Sequence, residues 1–298
     1  MKLCRFDHDR LGVVIGTPAT GYAVHDITKL QDEIRAKAPY AAYADAVIAA
    51  LPEYRPRMEK MATEVTGKPI DSVKLLSPIA RPPKNIAAPT NYAAHIAEMQ
   101  VRRDQGMNIG VHSPKIKEAG IFLKSNTSIV GPSEGIPIRF PERRNEHEAE
   151  LVAIIGKKGT DIAIEKGLDY IAGYCLGLDM TTRGPEDRSF RKSIDGYSVL
   201  GPWFVTADEI GDPNKLPLKL DVNGEVRQNT NTSDLIYNVE KLIEFASSFY
   251  TLYPGDVYYT GTPEGVAPVK PGDWIRVTSA PALGELKIQC RAHVPGMS

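Results

Sequence analysis

Glutamate occupies three alternate positions just before an apolar run. Glu146, Glu148 and Glu150 precede residues 151–155, all of which are apolar. Alternate residues of a β-strand point to one face, and the spacing does not choose whether Glu146 and Glu148 or Glu148 and Glu150 enter a common pocket. Neighbouring buried carboxylates repel each other, so a bound cation is the simplest compensation. A site with only oxygen ligands favours magnesium, manganese or calcium over zinc.

A further acid, Asp179, ends an apolar run that begins at Gly173, and Arg183 follows four residues later. A charge in such a place needs a partner. Asp179 either adds to the acidic site or pairs with Arg183 as a structural ion pair. The alternating glutamates also have a second explanation, which is an edge strand with its charges in solvent.

A possible proton-transfer pair lies upstream. His95 and Glu98 stand three residues apart in a segment with helical character, and this spacing places both side chains on one helix face. The carboxylate can then hold one imidazole nitrogen while the other takes a proton from water or from a carbon acid. The alternative is an ordinary surface pair.

The elements that must position these residues fall into two regions. The first 25 residues contain two short β-like runs, 2–6 and 12–15, followed by alternating apolar positions around 22–25. Residues 30–66 have helical composition broken by Pro39, Pro52 and Pro56 into short helices. Residues 76–89 hold four prolines, which forbid a long regular element. We therefore predict a domain boundary there, with a small α/β domain at 1–75 and a larger domain at 76–298.

Strand patterns predominate in the larger region. The predicted strands are 121–124, 136–140, 148–155, 172–180, 203–205, 218–222, 225–228, 257–260, 274–278 and 286–293. Asn223-Gly224 lies between two of them and predicts a two-residue hairpin turn, because it tolerates positive φ values. Apolar residues at helical spacing predict one amphipathic helix over 233–249, capped by Thr232 or Ser233 and packed on the sheet. The fold class is therefore α+β, with a mainly β larger domain.

Composition excludes several classes of function. The chain has 298 residues, with 36 Lys and Arg against 37 Asp and Glu, so its net charge of -1 does not favour nucleic acid or an anionic membrane. We find no run of about 20 apolar residues, and the N-terminus is charged where a signal peptide would be apolar, so we expect a cytoplasmic protein. Cys4, Cys175 and Cys290 are too dispersed for a disulfide framework or a zinc-thiolate site and are expected to be buried packing residues.

Motifs spread from Asn91 to the C-terminus resemble the fumarylacetoacetate hydrolase family in type and in order. They are the NYAAHIAE segment from Asn91, Phe122-Leu123-Lys124, Glu148-Ala149-Glu150-Leu151, the run from Gly173 to Arg183, Lys192, Gly201-Pro202-Trp203, Val222-Asn223-Gly224-Glu225 with Gln228 and Thr232, Pro254-Gly255-Asp256, and Thr260-Gly261-Thr262-Pro263-Glu264-Gly265-Val266. The first 75 residues carry none of these motifs and look like the variable N-terminal domain of many members.

The resemblance implies roles for these residues. Glu148, Glu150 and Asp179 would hold Mg²⁺ or Mn²⁺, with Ca²⁺ possible in crystals, and Glu146 would lie outside the metal set. His95 and Glu98 would form the catalytic dyad on a segment that closes over the metal, and the charged run 100–120 with Gly106 and Gly110 has the composition of such a lid. The remaining expected site residues bear positive charge or belong to the TGTPEG turn: Lys192 as a catalytic residue, and Arg183, Lys124, Thr260, Gly261 and Thr262 as substrate-binding residues.

The activity implied is hydrolysis of a carbon-carbon bond in an acylpyruvate, such as maleylpyruvate or fumarylpyruvate, through a metal-bound pyruvate enolate. Isomerisation or decarboxylation of an unsaturated 2-oxo dicarboxylate, decarboxylation of oxaloacetate and sugar-acid dehydration are alternatives within the same family. A non-catalytic protein that binds small acids is an alternative of another class. The expected partner is a small 2-oxo acid, with neither nucleic acid nor membrane, and members of the family are usually at least dimers.

Overall fold

A computed structural model describes residues 1–37, 43–107 and 116–295 of the protein. Its first five strands are β1 (Lys2–Phe6), β2 (Arg10–Thr17), β3 (Gly21–Asp26), β4 (Lys68–Pro69) and β5 (Leu75–Leu76). The α-helices are α1 (Thr28–Lys37), α2 (Ala46–Glu64), α3 (Ala93–Asp104), α4 (Ile116–Ala119), α5 (Arg188–Lys192) and α6 (Val239–Ser247). None of these described helices has the length and apolar content that crossing a membrane requires.

The remaining strands follow the proline-rich segment. They are β6 (Asn85–Ala87), β7 (Phe122–Lys124), β8 (Ile129–Val130), β9 (Ile136–Ile138), β10 (Asn145–Glu146), β11 (Ala149–Ile155), β12 (Ile171–Asp179), β13 (Thr181–Thr182), β14 (Ser198–Thr206), β15 (Pro217–Val222), β16 (Glu225–Asn231), β17 (Val257–Tyr259), β18 (Trp274–Thr278) and β19 (Glu285–Ala292). Short 3-10 helices connect several of them. The mainly β, α+β class predicted from the sequence is confirmed.

One large mixed sheet forms the centre of the structure. Its strand order is β4-β3-β2-β1-β14-β12-β11-β17-β6-β7, with β5 on β1 and β8 on β14. A second sheet has the order β16-β15-β18-β19-β9, and β10 pairs with β13. Because β1 pairs with β14, strands from residues 1–75 and from residues 76–298 share the same sheet.

Apolar residues alternate between the two faces of the central strand β11. Val152 and Ile154 belong to the core cluster that contains residues of α1 and α2. Leu151 and Ala153 belong to the other cluster, which contains residues of β18 and α6. Since β11 lies between β12 and β17, the explanation of the alternating glutamates as an edge strand is wrong.

Two local predictions are confirmed. Asn223 and Gly224 have φ values of 53° and 86° and connect β15 to β16, with Val222 opposite Glu225. The three cysteines are free and buried. Burial raises the pKa of the Cys4 thiol to about 12, which is consistent with a packing role.

Two helix predictions are wrong in their bounds. Pro52 and Pro56 lie inside the 19-residue helix α2 and do not end it, because its buried face, which includes Leu51 and Met58, offsets the backbone hydrogen bonds that proline removes. Pro39 lies outside the described residues.

Helix α6 is shorter than predicted. It begins after Asn238, whose side chain accepts a hydrogen bond from the Lys241 backbone N–H. The preceding residues do not continue it: Thr232–Asp234, the predicted start and caps, form a 3-10 helix, Leu235 forms a β-bridge with Tyr92, and the Ile236 N–H donates to the Asn91 carbonyl at 2.9 Å. A tertiary contact therefore replaces the first helical turns expected from the periodicity.

Gly173 in β12 allows a close approach of β14. A Cβ atom there would lie 1.9 Å from the Val205 carbonyl oxygen and 2.7 Å from the Phe204 ring. We expect Gly173→Ala to lower the free energy of unfolding by about 2–3 kcal/mol, because backbone cannot move aside as a side chain can. Urea denaturation measures this. Gly184→Ala is the control, since the atoms met there are the mobile ends of Arg143 and Glu186, and equal stability of the two variants would contradict the prediction.

Candidate active site

The three acids of the predicted metal set lie where β11 and β12 meet. Glu150 is paired with Gly177, which has no side chain, and the Asp179 N–H donates to the Glu148 carbonyl at 2.9 Å. This antiparallel register brings all three side chains to one face. One carboxylate oxygen from each residue lies within 4.8 Å of the oxygens offered by the other two, and all three residues are buried.

The charges of this cluster are only partly compensated by the protein. Burial, and then the charge of Asp179, raises the pKa of Glu150 well above its usual value. Burial has the same tendency at Glu148, but Lys192 and Arg183 outweigh it and hold the pKa of that carboxyl below its ordinary range. Glu150 accepts a hydrogen bond of 2.6 Å from the Gly261 N–H. The carboxylates therefore repel one another more than the protein compensates. A hard divalent cation, which prefers oxygen ligands, would stabilise their ionised forms.

Three cations surround the acids. Lys192 Nζ lies 2.5 Å from Glu148 Oε2 and 2.7 Å from Asp179 Oδ2. Lys124 Nζ lies 2.5 Å from Asp179 Oδ1. Arg183 contacts Glu148 at 3.2 Å. In the described part of the chain Asp179 thus pairs with the two lysines. The alternative prediction of a simple Asp179–Arg183 ion pair is wrong.

Glu146 is fully buried and is paired with three arginines. Its Oε2 accepts from Arg183 Nε at 2.6 Å, its Oε1 accepts from Arg102 at 3.0 Å, and Arg144 pairs with the same oxygen. Burial opposes its ionisation, but these guanidinium groups hold the pKa of Glu146 below its usual value. Glu146 therefore does not belong to the cluster of three acids. It fixes Arg183, the arginine that contacts Glu148.

We expect Glu146→Gln to lower the free energy of unfolding by about 3 kcal/mol, because removing one partner of a buried ion network leaves the others uncompensated. The measurement is urea denaturation of the metal-free protein. Glu225→Gln serves as the control, because its pair with Arg227 is exposed and is expected to contribute less than about 1 kcal/mol. A loss for Glu146→Gln no larger than that of the control would refute the assigned role.

Helix α3 carries the predicted dyad. His95 is buried, and its Nδ1 lies 3.4 Å from Glu98 Oε2. Arg102, one turn further on, donates to Glu98 Oε1 at 2.8 Å and thereby links the dyad to Glu146. Burial disfavours the Glu98 carboxylate, but His95 and Arg102 outweigh it and lower the pKa of Glu98. The surface-pair alternative does not describe this arrangement.

The predicted lid run is described only in part. Residues 100–104 continue α3, Gly106 follows with a φ of 80°, and α4 begins at Ile116. Gly110 and the rest of residues 108–115 lie outside the described residues. A lid role for this run stays a prediction.

Residues of the TGTPEG turn fix strand β11 and line the cavity beside the acids. The Thr260 hydroxyl donates to the Leu151 carbonyl at 2.8 Å, and the Gly261 N–H holds Glu150, so both groups fix β11. Thr262 accepts from Gln228 at 2.9 Å and lines the cavity beside the acids. Of the three predicted substrate-binding residues in this turn, Thr262 is the one placed at the cavity wall.

A small cavity of about 30 Å³ adjoins the acids. Besides the predicted His95, Arg183, Lys192 and Thr262, its lining includes Phe122 of the Phe122-Leu123-Lys124 motif and five residues that the sequence did not indicate as site residues: Ala88, Pro89, Thr90, Arg188 and Arg191. Thr90 has a φ of 44°, which is strained for a β-branched residue. Its buried hydroxyl has no hydrogen-bond partner among the described residues. In the sequence, Thr90 could have been identified because it immediately precedes the Asn91-Tyr92 motif.

Comparisons with known proteins agree with this geometry. The family profile described as "Fumarylacetoacetate (FAA) hydrolase C-terminal" matches residues 84–291. A maleylpyruvate hydrolase of Aquipseudomonas alcaligenes is 51% identical over 276 residues, which are 92% of this chain and 93% of that protein.

Two solved structures share the fold over nearly the whole chain. Maleylpyruvate hydrolase from Sphingobium sp. SYK-6, in complex with manganese(II) ion and pyruvate, is 35% identical with a TM-score of 0.79 and covers 99% of this chain and 100% of its own. The 5-carboxymethyl-2-hydroxymuconate delta-isomerase of Mycobacterium smegmatis is 30% identical with a TM-score of 0.70, with the same coverage. With the profile spanning more than half of the chain, this protein belongs to the fumarylacetoacetate hydrolase family.

Proposed function

We propose that the protein is a metal-dependent hydrolase that cleaves a carbon-carbon bond in an acylpyruvate, with maleylpyruvate as the leading substrate. The observation that carries this proposal is the convergence of three buried acids beside the His95–Glu98 dyad. The 51% identity to a maleylpyruvate hydrolase supports the choice of substrate. The manganese and pyruvate bound to the Sphingobium relative support the metal and the pyruvate half of the substrate.

Glu148, Glu150 and Asp179 are the proposed ligands of Mg²⁺ or Mn²⁺. When bound there, the cation would supply a Lewis acid that orients the C1 carboxylate and C2 oxygen of the substrate and stabilises negative charge on them. The donor set consists of carboxylates alone, which matches the preference of these two cations. The Gly261 N–H and the Thr181 hydroxyl, which donate to Glu150 and Glu148, would keep the ligands oriented.

His95 is the proposed general base. The ionised Glu98 lies against Nδ1 of the imidazole, which leaves Nε2 for a water molecule. That nitrogen takes a proton as the water oxygen attacks the C4 carbonyl carbon of the substrate. The C3–C4 bond then breaks, and its electron pair remains on the pyruvate half as an enolate. The proton that His95 took from water is then delivered to C3, which gives pyruvate beside the released acid.

Two of the three neighbouring cations, Lys192 and Arg183, are proposed to stabilise the enolate charge. Lys192 and Arg183 line the cavity, and each is already fixed by carboxylates, so little reorganisation would accompany the reaction. Lys124 pairs with Asp179 and donates to the Tyr197 carbonyl at 2.8 Å, and it is not among the residues that line the cavity. Burial lowers its pKa although Asp179 opposes this. We assign Lys124 to the support of Asp179 and Lys192 to the substrate.

Isomerisation of an unsaturated 2-oxo dicarboxylate is the second candidate, supported by the similarity to the Mycobacterium smegmatis isomerase. Both reactions require a base and a stabilised enolate, so the site serves either. They differ in whether a proton or an acyl group leaves the substrate. A protein that binds small acids without turnover is the third candidate.

A substrate panel separates these candidates. Purified protein with Mn²⁺ is offered maleylpyruvate, fumarylpyruvate, oxaloacetate and a hydroxymuconate-type acid, and pyruvate is measured with lactate dehydrogenase beside ultraviolet absorbance. Pyruvate release from the acylpyruvates supports the hydrolase. A spectral change without pyruvate supports the isomerase. Inactivity of a protein that binds one metal ion per chain supports the binding protein and refutes both enzymes.

Three further assignments complete the proposal. A homodimer is supported by the family membership, and light scattering during gel filtration measures it. A cytoplasmic location is proposed from the sequence features described above. The division at residues 75 and 76 is proposed as a boundary between two units that share one sheet. It falls within β5, which pairs with β1, so we expect limited proteolysis in the flanking residues to leave both pieces associated.

A further inference from the structure

Thr90 combines a strained backbone with an unpaired polar group in the wall of the cavity beside the acids. Its φ of 44° lies in the left-handed region, which a β-branched residue rarely adopts. Its side chain is more than nine-tenths buried, and its hydroxyl has no hydrogen-bond partner among the described residues. Each of these features destabilises a fold, and strained residues concentrate at ligand sites. Their coincidence at one residue therefore indicates a ligand-binding role.

The residues on both sides of Thr90 are anchored by the backbone of other segments. The Ala88 N–H donates to the Tyr259 carbonyl at 3.0 Å. The Asn91 side chain accepts from the Tyr237 N–H at 2.8 Å and donates to the Tyr237 carbonyl at 2.9 Å. These contacts hold Thr90 in a conformation that it would not adopt alone, so its hydroxyl is fixed before a ligand arrives.

Thr90 differs in its partners from the other polar residues of the site. Lys192 and Arg183 are paired with the acids, as described above. The hydroxyl of Thr262 lines the same cavity but already accepts from Gln228 at 2.9 Å. Thr90 therefore contributes a neutral donor with no competing contact in the described part of the chain. Such a donor suits an oxygen that gains charge only during the reaction, because it adds little to ground-state binding.

Thr90 and the proposed base lie close together along the chain and around one small space. His95, in the first turn of α3, is the fifth residue after Thr90, and both line the cavity of about 30 Å³. That volume is room for about two water molecules. A carbonyl carbon attacked by water at His95 would thus have its oxygen near Thr90. The metal is assigned to C1 and C2 and the cations to the enolate, so the C4 oxygen is the group still to be assigned.

We propose that the Thr90 hydroxyl binds the C4 oxygen of the acylpyruvate and stabilises the negative charge that forms there, an inference that rests on the proposed hydrolase function. As the water oxygen bonds to C4, the π electron pair of the carbonyl moves onto its oxygen. Thr90 donates a hydrogen bond to that oxygen and keeps its own proton. The pair returns to form the carbonyl of the released acid as the C3–C4 bond breaks. Thr90 thereby selects 2,4-dioxo acids over simple 2-oxo acids.

The kinetic test uses Thr90→Val, which keeps the shape of the side chain and removes the hydroxyl. We expect kcat for maleylpyruvate to fall about 10- to 100-fold and KM to change less than about threefold, as for a hydrogen bond to a charged oxygen made in the transition state. Thr90→Ser, which keeps the hydroxyl, is expected to retain at least about one fifth of kcat. Thr63→Val, at an exposed position of α2, is the control with unchanged kcat. Full kcat in Thr90→Val, or an equal loss in Thr90→Ser, overturns the inference.

A stability measurement distinguishes this role from a structural one. In urea denaturation of the metal-free protein, Thr90→Val is expected not to lower the midpoint, because the lost hydroxyl made no hydrogen bond. Thr232→Val is the contrasting variant and is expected to lower it. The buried Thr232 hydroxyl accepts from the Leu216 N–H at 2.8 Å and donates to the Pro213 carbonyl at 2.7 Å. An equal fall in both variants would make the Thr90 hydroxyl structural and overturn the inference.

A binding measurement separates this inference from the proposed reaction. Calorimetry with Mn²⁺ compares 4-hydroxy-2-oxopentanoate with 2-oxopentanoate, which differ only in the oxygen at C4 and have no C4 carbonyl for water to attack. We expect the unaltered protein to prefer the hydroxy acid and Thr90→Val to lose that preference. This result supports the C4 assignment even if no acylpyruvate is cleaved, which would refute the hydrolase alone. Equal affinity of the unaltered protein for both acids, or an equal loss for both in Thr90→Val, overturns the assignment and leaves the hydrolase intact.

Discussion

Glu150→Gln is expected to lower the affinity for Mn²⁺ by more than about 100-fold and to abolish metal-dependent turnover. Changes in residues that only support metal ligands typically cost 10- to 100-fold, and a direct ligand should exceed that range. The substitution keeps the side-chain shape and an oxygen that can accept from Gly261, so the local fold is expected to remain. Metal affinity is measured by equilibrium dialysis or by the electron paramagnetic resonance of free Mn²⁺.

The control for this variant is Glu264→Gln. Glu264 is an exposed acid on the nearby TGTPEG turn, and its loss removes the same charge without touching the acidic cluster. We expect its Mn²⁺ affinity to equal that of the unaltered protein. Undiminished affinity of Glu150→Gln would remove this residue from the ligand set.

His95→Ala is expected to lower kcat by about 100-fold or more, which is the usual contribution of a general base. Mn²⁺ affinity is expected to change less than about threefold, because His95 lies beside the acids and is not in the oxygen cluster. Initial rates of pyruvate release at saturating Mn²⁺, together with a metal titration, make the comparison. This separation of turnover from metal binding distinguishes a base from a ligand.

His8→Ala is the matched control for this second variant, since His8 is exposed and belongs to the N-terminal region. We expect it to retain full turnover. Full turnover of His95→Ala would show that another group takes the proton. Loss of metal together with turnover would instead make His95 a ligand and would change the mechanism.

Sequence pattern was sufficient for features governed by local periodicity. The alternation of β11 separates Val152 from Leu151 on opposite faces. The same period of two predicts that Glu148 and Glu150 share a face, although it does not choose this pair over Glu146 and Glu148. The Asn223-Gly224 turn likewise follows from the backbone preferences of two residues. Such features need no knowledge of the distant chain.

Features that depend on distant segments were not predictable in this way. The place of Glu146 is set by Arg102 on α3 and Arg183 after β13, which are 44 and 37 residues away. Helix α2 passes through two prolines because tertiary burial outweighs their local cost. The start of α6 is delayed by a backbone contact with Asn91, 145 positions earlier than Ile236. In each case packing overrides a local preference.

The order of the motifs along the chain predicted the residues of the site better than their local spacing did. Spacing alone left two glutamate pairs open and gave Asp179 a simple partner in Arg183. The structure brings Glu148, Glu150 and Asp179 together and directs Arg183 to Glu146 and Glu148. The functional roles of these residues remain proposals, and the predictions above address them individually.

The most direct test is anomalous diffraction at the manganese edge from crystals soaked with Mn²⁺ and oxalate, a mimic of the pyruvate enolate. We predict one anomalous peak per chain, bonded to a carboxylate oxygen of each of Glu148, Glu150 and Asp179, with two oxalate oxygens completing the site. A peak held by other residues, or crystals that take up no manganese while the protein stays active after exhaustive chelation, would contradict the account.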